Sequence, residues 1–242
     1  MNLKPCSVFY SGIMATGKST VMQSLATAID NVIDLDRDEI NKGNLYVAPT
    51  FEDGLLPFNQ YVFSNHILSN HARNVETPFG PMIQIDPHNS FYRRHIRDQS
   101  YMIQLKLARL NLQSGKVPLL GGVSTRQIQD GTLRKMIDHI DLKEFPIHLI
   151  HFYADEEIIY QRALERMDSD PSSKTRVNLI PSTIRDGSPL ASRRAFHEFV
   201  TREQPIIPNR LSEYTHLAID TTNQSIESCR DLCIKYIRHR NS

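Results

Sequence analysis

The stretch Gly12-Ile13-Met14-Ala15-Thr16-Gly17-Lys18-Ser19 decides how the rest of this sequence is interpreted. It has the pattern G-x4-G-K-[ST], in which a glycine-rich turn presents backbone N–H groups to phosphate oxygens. The apolar run 7–10 precedes it, and a stretch that favours a helix, 19–29, follows it. A strand, a tight turn and a helix N-terminus make an anion site, because the free N–H groups and the positive end of the helix dipole face the same point.

The alternative is an ordinary strand-to-helix turn that binds nothing. Lys18 argues against it, because a cation in the first turn of a helix opposes the helix dipole. A bound triphosphate would remove that conflict. The motif therefore predicts that nucleotide phosphates are bound by Gly12, Ile13, Met14, Ala15, Thr16, Gly17, Lys18, Ser19 and Thr20.

The composition is that of an ordinary globular protein. The 242 residues are 40% hydrophobic and 23% charged, which suits a single domain, 1–242, with a substantial core. Lys and Arg number 28 against 27 Asp and Glu, so no global charge attracts nucleic acid, although a local groove would suffice. The three cysteines, Cys6, Cys229 and Cys233, make no disulfide framework, which favours a reducing compartment.

The sequence has no apolar run of the length that a membrane-spanning helix needs, about 18 to 20 residues. Its first residues include Lys4 and Pro5 and lack a signal-peptide pattern. We therefore expect a soluble cytoplasmic protein without a membrane partner. The sequence leaves the oligomeric state open.

Short apolar runs alternate with longer helical patterns, which is typical of a parallel sheet with crossover helices. We predict an α/β fold with a doubly wound five-stranded parallel sheet. The predicted strands are 6–11, 32–35, 117–120, 148–153 and 216–219. The predicted helices are 18–29, 91–113, 128–139, 156–167 and 226–237.

Two segments interrupt this alternation. Residues 42–90, rich in proline and aromatic side chains, follow the second predicted strand, and we expect an insertion on the acceptor side of the cleft. Residues 168–201, rich in Ser, Pro and Arg, follow the fourth strand and its helix. We predict that this second segment is a mobile, arginine-rich lid.

Acidic residues follow the second predicted strand, in the segment DLDRDE at 34–39. Open α/β sheets bind ligands outside the carboxyl ends of their strands. A carboxylate there can accept a proton from an attacking hydroxyl or bind magnesium through water, and Arg37 can bind a phosphate. The alternative for an aspartate at this place is a helix N-cap. We favour function for Asp36 and capping for Asp34 and Asp38.

Four parts of the sequence together resemble the small P-loop kinases, above all the polynucleotide-kinase-like, zeta-toxin-like and chloramphenicol-phosphotransferase-like branches. They are the phosphate loop at 12–19, the pattern IDLDR at 33–37, the strand-helix unit at 152–166 and the segment AIDTT at 218–222. Of these, only the phosphate loop is specific.

The resemblance implies ATP-dependent phosphoryl transfer with Mg²⁺. Lys18 would lie along the β- and γ-phosphates, and Ser19 would bind the metal. Asp36 would activate the acceptor hydroxyl and Arg37 would orient the acceptor.

The resemblance also implies that Arg162 and Arg166 neutralise charge on the transferred phosphoryl group. The two arginines are four residues apart and so share one helix face. The alternative is a solvated face on which they pair with Asp155, Glu156 or Glu165, and the sequence leaves both open.

The third predicted strand departs from the pattern of the resemblance. It runs into GGVSTR at 121–126, where many relatives carry an aspartate. Without that carboxylate, Asp36 would have to serve both the metal and the acceptor. Gly121 and Gly122 allow close approach of the backbone to a ligand, with Ser124, Thr125 and Arg126 as donors, or they form a mere turn. Arg126 is therefore a candidate acceptor-binding residue.

The sequence favours transfer of the γ-phosphate of ATP to a hydroxyl of a small molecule: a nucleoside, a sugar, a nucleotide-sugar or an antibiotic-like compound. A polynucleotide 5′-hydroxyl is an alternative acceptor that the balanced charge disfavours. Two other classes are a nucleotide-dependent switch without an acceptor and a silent nucleotide-binding module. The segment NKGN at 41–44 lacks the aspartate of the guanine-reading N-K-x-D motif, which weakens the switch.

Overall fold

The computed structural model describes residues 2–37, 40, 46–47, 72–77, 80–85, 97–123, 125–169, 193–203 and 213–240. The chain divides into two compact units, one made of Met1–Leu35 and Leu105–Ser242 and the other of Asp36–Gln104. The strands are β1 Ser7–Ser11, β2 Val32–Leu35, β3 Tyr46–Val47, β4 Ala72–Thr77, β5 Gly80–Ile85, β6 Val117–Val123, β7 Ile147–Tyr153 and β8 Thr215–Asp220. The α-helices are α1 Lys18–Ala28, α2 Arg97–Gln113, α3 Thr125–Gln129, α4 Thr132–His139, α5 Glu156–Ser169, α6 Arg193–Glu203 and α7 Ile226–Arg240, and Leu142–Glu144 form a 3-10 turn.

The first unit contains a five-stranded sheet in the order β2-β6-β1-β7-β8. Every neighbouring pair in it is parallel. The predicted doubly wound five-stranded α/β fold is therefore confirmed. Because the chain leaves β1 toward one edge and later returns to build the other, the carboxyl end of β1 lies at the topological switch point, where open α/β sheets bind ligands.

The core of this unit lies on both sides of β1, all five residues of which are buried. On one face, α1 and α7 pack through side chains that include Met22, Leu25 and Ile237. Cys229 and Cys233 belong to the same cluster, one helical turn apart, and are free thiols like Cys6. Burial raises the pKa of Cys233 to about 12, so this thiol is a core side chain without nucleophilic character at neutral pH.

Two predicted helices differ from the observed ones. The predicted helix 128–139 is divided between two helices, α3 and α4, because Gly131 adopts a φ of 74° between them and is the N-cap of α4. Beside this break, the side chain of Asp130 accepts a hydrogen bond from the N–H of Thr132 at 2.9 Å. The predicted helix 91–113 is observed as Arg97–Gln113, and residues 91–96 lie outside the described ones. None of the described helices combines the length and hydrophobicity needed to cross a membrane.

The second unit contains a sheet that the sequence did not predict. Strands β4 and β5 form an antiparallel hairpin, from Ala72 opposite Ile85 to Thr77 opposite Gly80, and β3 pairs with β5. No strand was predicted here because neither hairpin strand has a clean alternation of apolar and polar residues, and Pro81 interrupts one of them. Most of the predicted insertion at 42–90 lies outside the described residues, so its acceptor-side role stays a prediction.

Candidate active site

The phosphate loop begins at the carboxyl end of β1 and is pressed against β7. Gly12 has a φ of 141°, and a Cβ on it would lie 2.5 Å from the carbonyl oxygen of Phe152. Gly17 has a φ of 79°, and a Cβ on it would meet no atom within 4 Å. The first glycine therefore lets the loop pass close to a neighbouring strand, and the space beside the second glycine is open.

Hydrogen bonds inside the loop fix its shape. The carbonyl oxygen of Ile13 accepts from the hydroxyl of Thr16 at 2.9 Å and from Nζ of Lys18 at 3.1 Å. The ammonium group predicted to bind the phosphates therefore lies within the loop itself. The predicted metal ligand Ser19 and the exposed Thr20 follow in the first turn of α1.

Ala15 adopts a φ of 60°, which residues other than glycine rarely adopt. Such a conformation costs about 1 to 3 kcal/mol and persists only where surrounding structure enforces it. Ala15 is buried in a cluster with Ile13, Phe196 and Val200, so packing of its methyl group offsets part of that cost. The loop is thus held by the core in a strained shape, as a preorganised binding site requires.

A pocket of about 280 Å³ opens beside the loop. Three parts of the chain line it: the loop with the start of α1, one face of α5, and the turn from β8 into α7. The lining residues are Ala15, Gly17, Thr20, Val21, Arg162, Arg166, Thr221, Gln224, Ser225, Ile226 and Cys229.

The two candidate arginines, Arg162 and Arg166, both line this pocket. Arg162 donates from Nη1 to the hydroxyl of Thr221 at 3.1 Å and from Nη2 to its carbonyl oxygen at 2.7 Å. The proposed alternative partner Glu156 is instead bonded to residues of α6, His197 at 2.7 Å and Arg193 at 3.8 Å. The geometry therefore places Arg162 in a pocket wall.

Helix α6 is packed on α5 beside the loop. Arg193 contacts Glu157 at 2.5 Å and lies 4.3 Å over the ring of Tyr160. Phe196 is fully buried, with its ring 5.0 Å from that of Tyr160. This helix takes in the last part of the predicted lid 168–201, whose central residues 170–192 lie outside the described ones. Closure of the lid over a nucleotide stays a prediction.

Asp34 is held at the end of β2 by a residue two strands away. The hydroxyl of Tyr10, on β1, donates to Oδ1 of Asp34 at 3.1 Å. The register of β1 with β6 shifts between Phe9 and Ser11, which is a β-bulge. The glycine pair at 121–122 belongs to this bulge, with Gly122 at a φ of 81°. The closest neighbour of a methyl group added at Gly121 would be Tyr10, so an internal side chain takes the space for which the sequence suggested a ligand.

The predicted acceptor residues Asp36 and Arg37 belong to the second unit. The carbonyl oxygen of Asp36 accepts from the N–H of Ile40 at 3.2 Å, so Asp36 stands at the start of a helical turn, the position that the capping alternative gives it. Arg37 lies 4.7 Å over the ring of Tyr101 and donates a hydrogen bond to its hydroxyl. The backbone of Arg126 lies in α3, and its side chain is outside the described part of the chain.

A buried histidine lies directly beneath the loop. Ser11 Oγ is 2.9 Å from Nδ1 of His151, and both side chains are buried. Burial, reinforced by the nearby His216, lowers the pKa of His151 to about 4, so its imidazole is neutral at physiological pH. His151 therefore contributes packing and a hydrogen bond between β7 and the last residue of β1, directly before the loop.

Sequence reasoning missed Thr221 and Tyr10. Both act through contacts between strands that are remote in sequence. Thr221 belongs to the segment AIDTT at 218–222, which contributed to the family resemblance. That segment does not reveal the hydrogen-bond partners of Thr221.

Comparison with known proteins bears on the fold. No protein-family model matches the sequence, and no curated protein matches it significantly. The solved structures that resemble it include a protein of Chloroflexus aurantiacus described provisionally as a kinase, at 15% identity and a TM-score of 0.55 over 99% of both chains. The tunicamycin resistance protein of Deinococcus radiodurans matches at 11% identity and a TM-score of 0.51, over 97% of this chain and 96% of that one. At such identities the likeness shows only that this chain shares its fold with these structures.

Proposed function

We propose that this chain is a kinase that transfers the γ-phosphate of ATP to a hydroxyl group of a small molecule. One observation carries the proposal: the loop with the phosphate-binding sequence pattern and an open pocket with two arginines share the residues Ala15 and Gly17. A nucleoside triphosphate has the matching form, with a compact organic part joined to a chain of phosphates.

The pocket beside the loop suits the nucleoside part. Its size is near the lower end of small-molecule sites, which are about 300 to 1,000 Å³. Apolar side chains such as Val21 and Ile226 can contact a base, and Gln224 offers both a donor and an acceptor for its edge. The phosphates would then extend along the N–H groups of the loop toward Lys18.

Magnesium fits the oxygen groups that the sequence assigns to it. Ser19 would provide a hydroxyl and Asp36 a carboxylate, and magnesium prefers such hard oxygen donors. When bound, the metal would supply positive charge that offsets the charge developing on the phosphate oxygens. Because β6 supplies no carboxylate at 121–123, we assign the metal to Ser19 and Asp36.

The side chains of the protein would have separate roles in phosphoryl transfer. Lys18 would balance the charge of the β- and γ-phosphates, and Arg166, exposed on the pocket side of α5, would approach the transferred group together with Arg162. Asp36 would accept the proton of the acceptor hydroxyl, while Arg37 and Arg126 would orient the acceptor. These roles of Asp36, Arg37 and Arg126 rest on their sequence positions after β2 and β6.

A small acceptor is favoured by charge. The net charge of +1 gives no general attraction for a polynucleotide, which proteins bind largely through phosphate contacts. The free buried cysteines suit a reducing compartment, and we place the enzyme in the cytoplasm.

Incubation with γ-labelled ATP and Mg²⁺ tests the proposal. The acceptor panel should contain nucleosides, sugars, nucleotide-sugars, aminoglycosides and 5′-hydroxyl oligonucleotides, with product mass as the readout. We expect a phosphorylated small molecule, formed by the wild type and not by Lys18→Ala. ATP hydrolysis without any labelled acceptor would favour the switch, and labelled oligonucleotide would favour the polynucleotide kinase.

A further inference from the structure

Thr221 connects a wall of the pocket to the backbone of the phosphate loop. Its hydroxyl accepts from Nη1 of Arg162 at 3.1 Å and lies 2.9 Å from the carbonyl oxygen of Thr16. A second acceptor, the carbonyl oxygen of Tyr153, lies 3.2 Å from the same hydroxyl. Since a hydroxyl has one proton to donate, Thr16 and Tyr153 share it, and Thr16 offers the shorter contact.

Arg162 fixes Thr221 in turn. Its second guanidinium nitrogen donates to the carbonyl oxygen of Thr221 at 2.7 Å, so the arginine holds the backbone and the side chain of this threonine together. The N–H of Thr221 donates to the carbonyl oxygen of Tyr153 at 2.9 Å. Thr221 is only 4% exposed, and Thr16 is fully buried. The hydroxyl therefore has little freedom to leave the loop carbonyl.

The orientation of one peptide plane follows from this contact. In a trans peptide the C=O and the next N–H point in opposite directions. Holding the carbonyl of Thr16 toward Thr221 therefore turns the N–H of Gly17 away from Thr221. Gly17 lines the pocket, and the space beside its Cα is open. This N–H is one of the donors that an anion at a helix N-terminus would use.

We propose that Thr221 is a positioning residue for phosphate binding: anchored by Arg162, it holds the Thr16–Gly17 peptide with the Gly17 N–H directed at the bound anion. The inference rests on the proposed nucleotide site, and it makes Arg162 a residue that acts through Thr221 as well as through its charge. No contact between Thr221 and the ligand is required.

The neighbouring Thr222 provides a matched control. Its hydroxyl donates to Oδ1 of Asp220 at 2.6 Å and accepts from the N–H of Asp155 at 2.9 Å, so it has a comparable number of hydrogen bonds. The hydroxyl and the backbone N–H of Thr222 both donate to Asp220 and lower the pKa of its carboxyl, and none of these bonds reaches the loop. Thr222 is absent from the pocket lining. Replacing either threonine by valine removes one hydroxyl and keeps the shape of the side chain.

Titration calorimetry with two probes, Mg·ATP and magnesium tripolyphosphate, tests the proposal on the full chain. We expect Thr221→Val to weaken both probes about tenfold, since one orienting hydrogen bond is lost. Thr221→Ser should restore binding to within about twofold, and Thr222→Val should bind like the wild type. Thermal unfolding of all variants checks that the two valine variants lose comparable stability.

Two results would overturn the inference. One is unchanged tripolyphosphate binding by Thr221→Val, which would show that Thr221 lines the pocket without positioning the phosphate loop. The other is an equal loss in Thr222→Val, which would make the effect one of general stability. If Thr221→Val does not fold, Arg162→Met examines the same contact from its other end: it should weaken tripolyphosphate binding, and unchanged binding of that probe would overturn the inference. A wild type that binds neither probe would instead refute the nucleotide site itself.

Discussion

The hydroxyl of Tyr10 donates a hydrogen bond to the carboxylate of Asp34 at 3.1 Å, although β6 lies between the strands that carry them. The contact exists because Gly121, on β6, has no side chain. A Cβ at that position would lie 2.5 Å from Cζ of Tyr10 and closer still to its hydroxyl oxygen. The absence of a side chain at Gly121 therefore makes room for the hydrogen bond between Tyr10 and Asp34, which holds the Asp34 carboxylate at the end of β2.

We predict that Gly121→Ala destabilises the protein by about 1 to 3 kcal/mol, because it overpacks a buried ring. Urea unfolding measures the change. The substitution should cost much less in a Tyr10→Leu background, since the clashing ring is gone, and Tyr10→Phe alone should cost about 0.5 to 1.5 kcal/mol for the lost hydrogen bond. Equal costs of Gly121→Ala in both backgrounds would show that the ring does not fill this space.

Lys18→Met should weaken binding of Mg·ATP at least about tenfold, because it removes a charge-assisted contact to the phosphates and keeps the length of the side chain. Calorimetric titration gives the affinity. Lys235→Met, at an exposed position on α7, is the control and should bind like the wild type. Undiminished affinity of Lys18→Met would contradict the assignment of this loop.

Asp36→Asn should lower the rate of phosphoryl transfer by about 10² to 10⁴, the usual effect of removing a general base, while ATP still binds. Because Asp36 is also assigned to the metal, affinity should be measured with and without Mg²⁺. Asp138→Asn, on the exposed side of α4, controls for the loss of one negative charge. If Asp36→Asn transfers phosphate at the wild-type rate, Asp36 is not the base.

Phe196→Ala should destabilise the protein by about 3 to 5 kcal/mol, because it empties a buried site in the cluster that also contains Ile13 and Ala15 of the loop. Phe199→Ala, at a partly buried position of the same helix, should cost clearly less. We also expect weaker ATP binding by Phe196→Ala, since the strained φ of Ala15 depends on this packing. Equal unfolding free energies for the two variants would mean that α6 is not docked as described.

Stability should fall as the pH is lowered from about 6.5 toward 4. The pKa of His151 is lowered to about 4 in the folded protein, whereas the unfolded chain has the usual value of 6.5. Between these values the unfolded chain binds the proton and the folded one does not, so acid favours unfolding, by up to about 1.4 kcal/mol per pH unit. Urea unfolding from pH 7 to 5 measures the slope. The variant His151→Asn can retain the contact with Ser11, and its unfolding free energy should change less steeply with pH. An unchanged slope would show that another group causes the pH dependence.

The architecture of the first unit could be predicted from the sequence alone. Each of its five strands is a short apolar run bounded by turns, and the loop at 12–19 joins the first of them to α1, so local patterns were sufficient. The position of the loop at the carboxyl end of β1 followed from the same patterns. The hairpin of β4 and β5 was not predictable, because its sequence lacks the alternation that would mark a strand.

The contacts of the individual side chains near the loop emerged only from the folded chain. Thr221 is 205 residues from Thr16, and Tyr10 is 24 residues from Asp34, so neither pair leaves a periodic signal in the sequence. These contacts depend on strand order and register, which bring the ends of β1, β7 and β8 together and place β1 two strands from β2. The sequence motif determines the local conformation of the phosphate loop, because a turn between a strand and a helix depends on neighbouring residues only. The side chains that hold this loop in place come from strands that are remote in sequence, so only the tertiary structure identifies them.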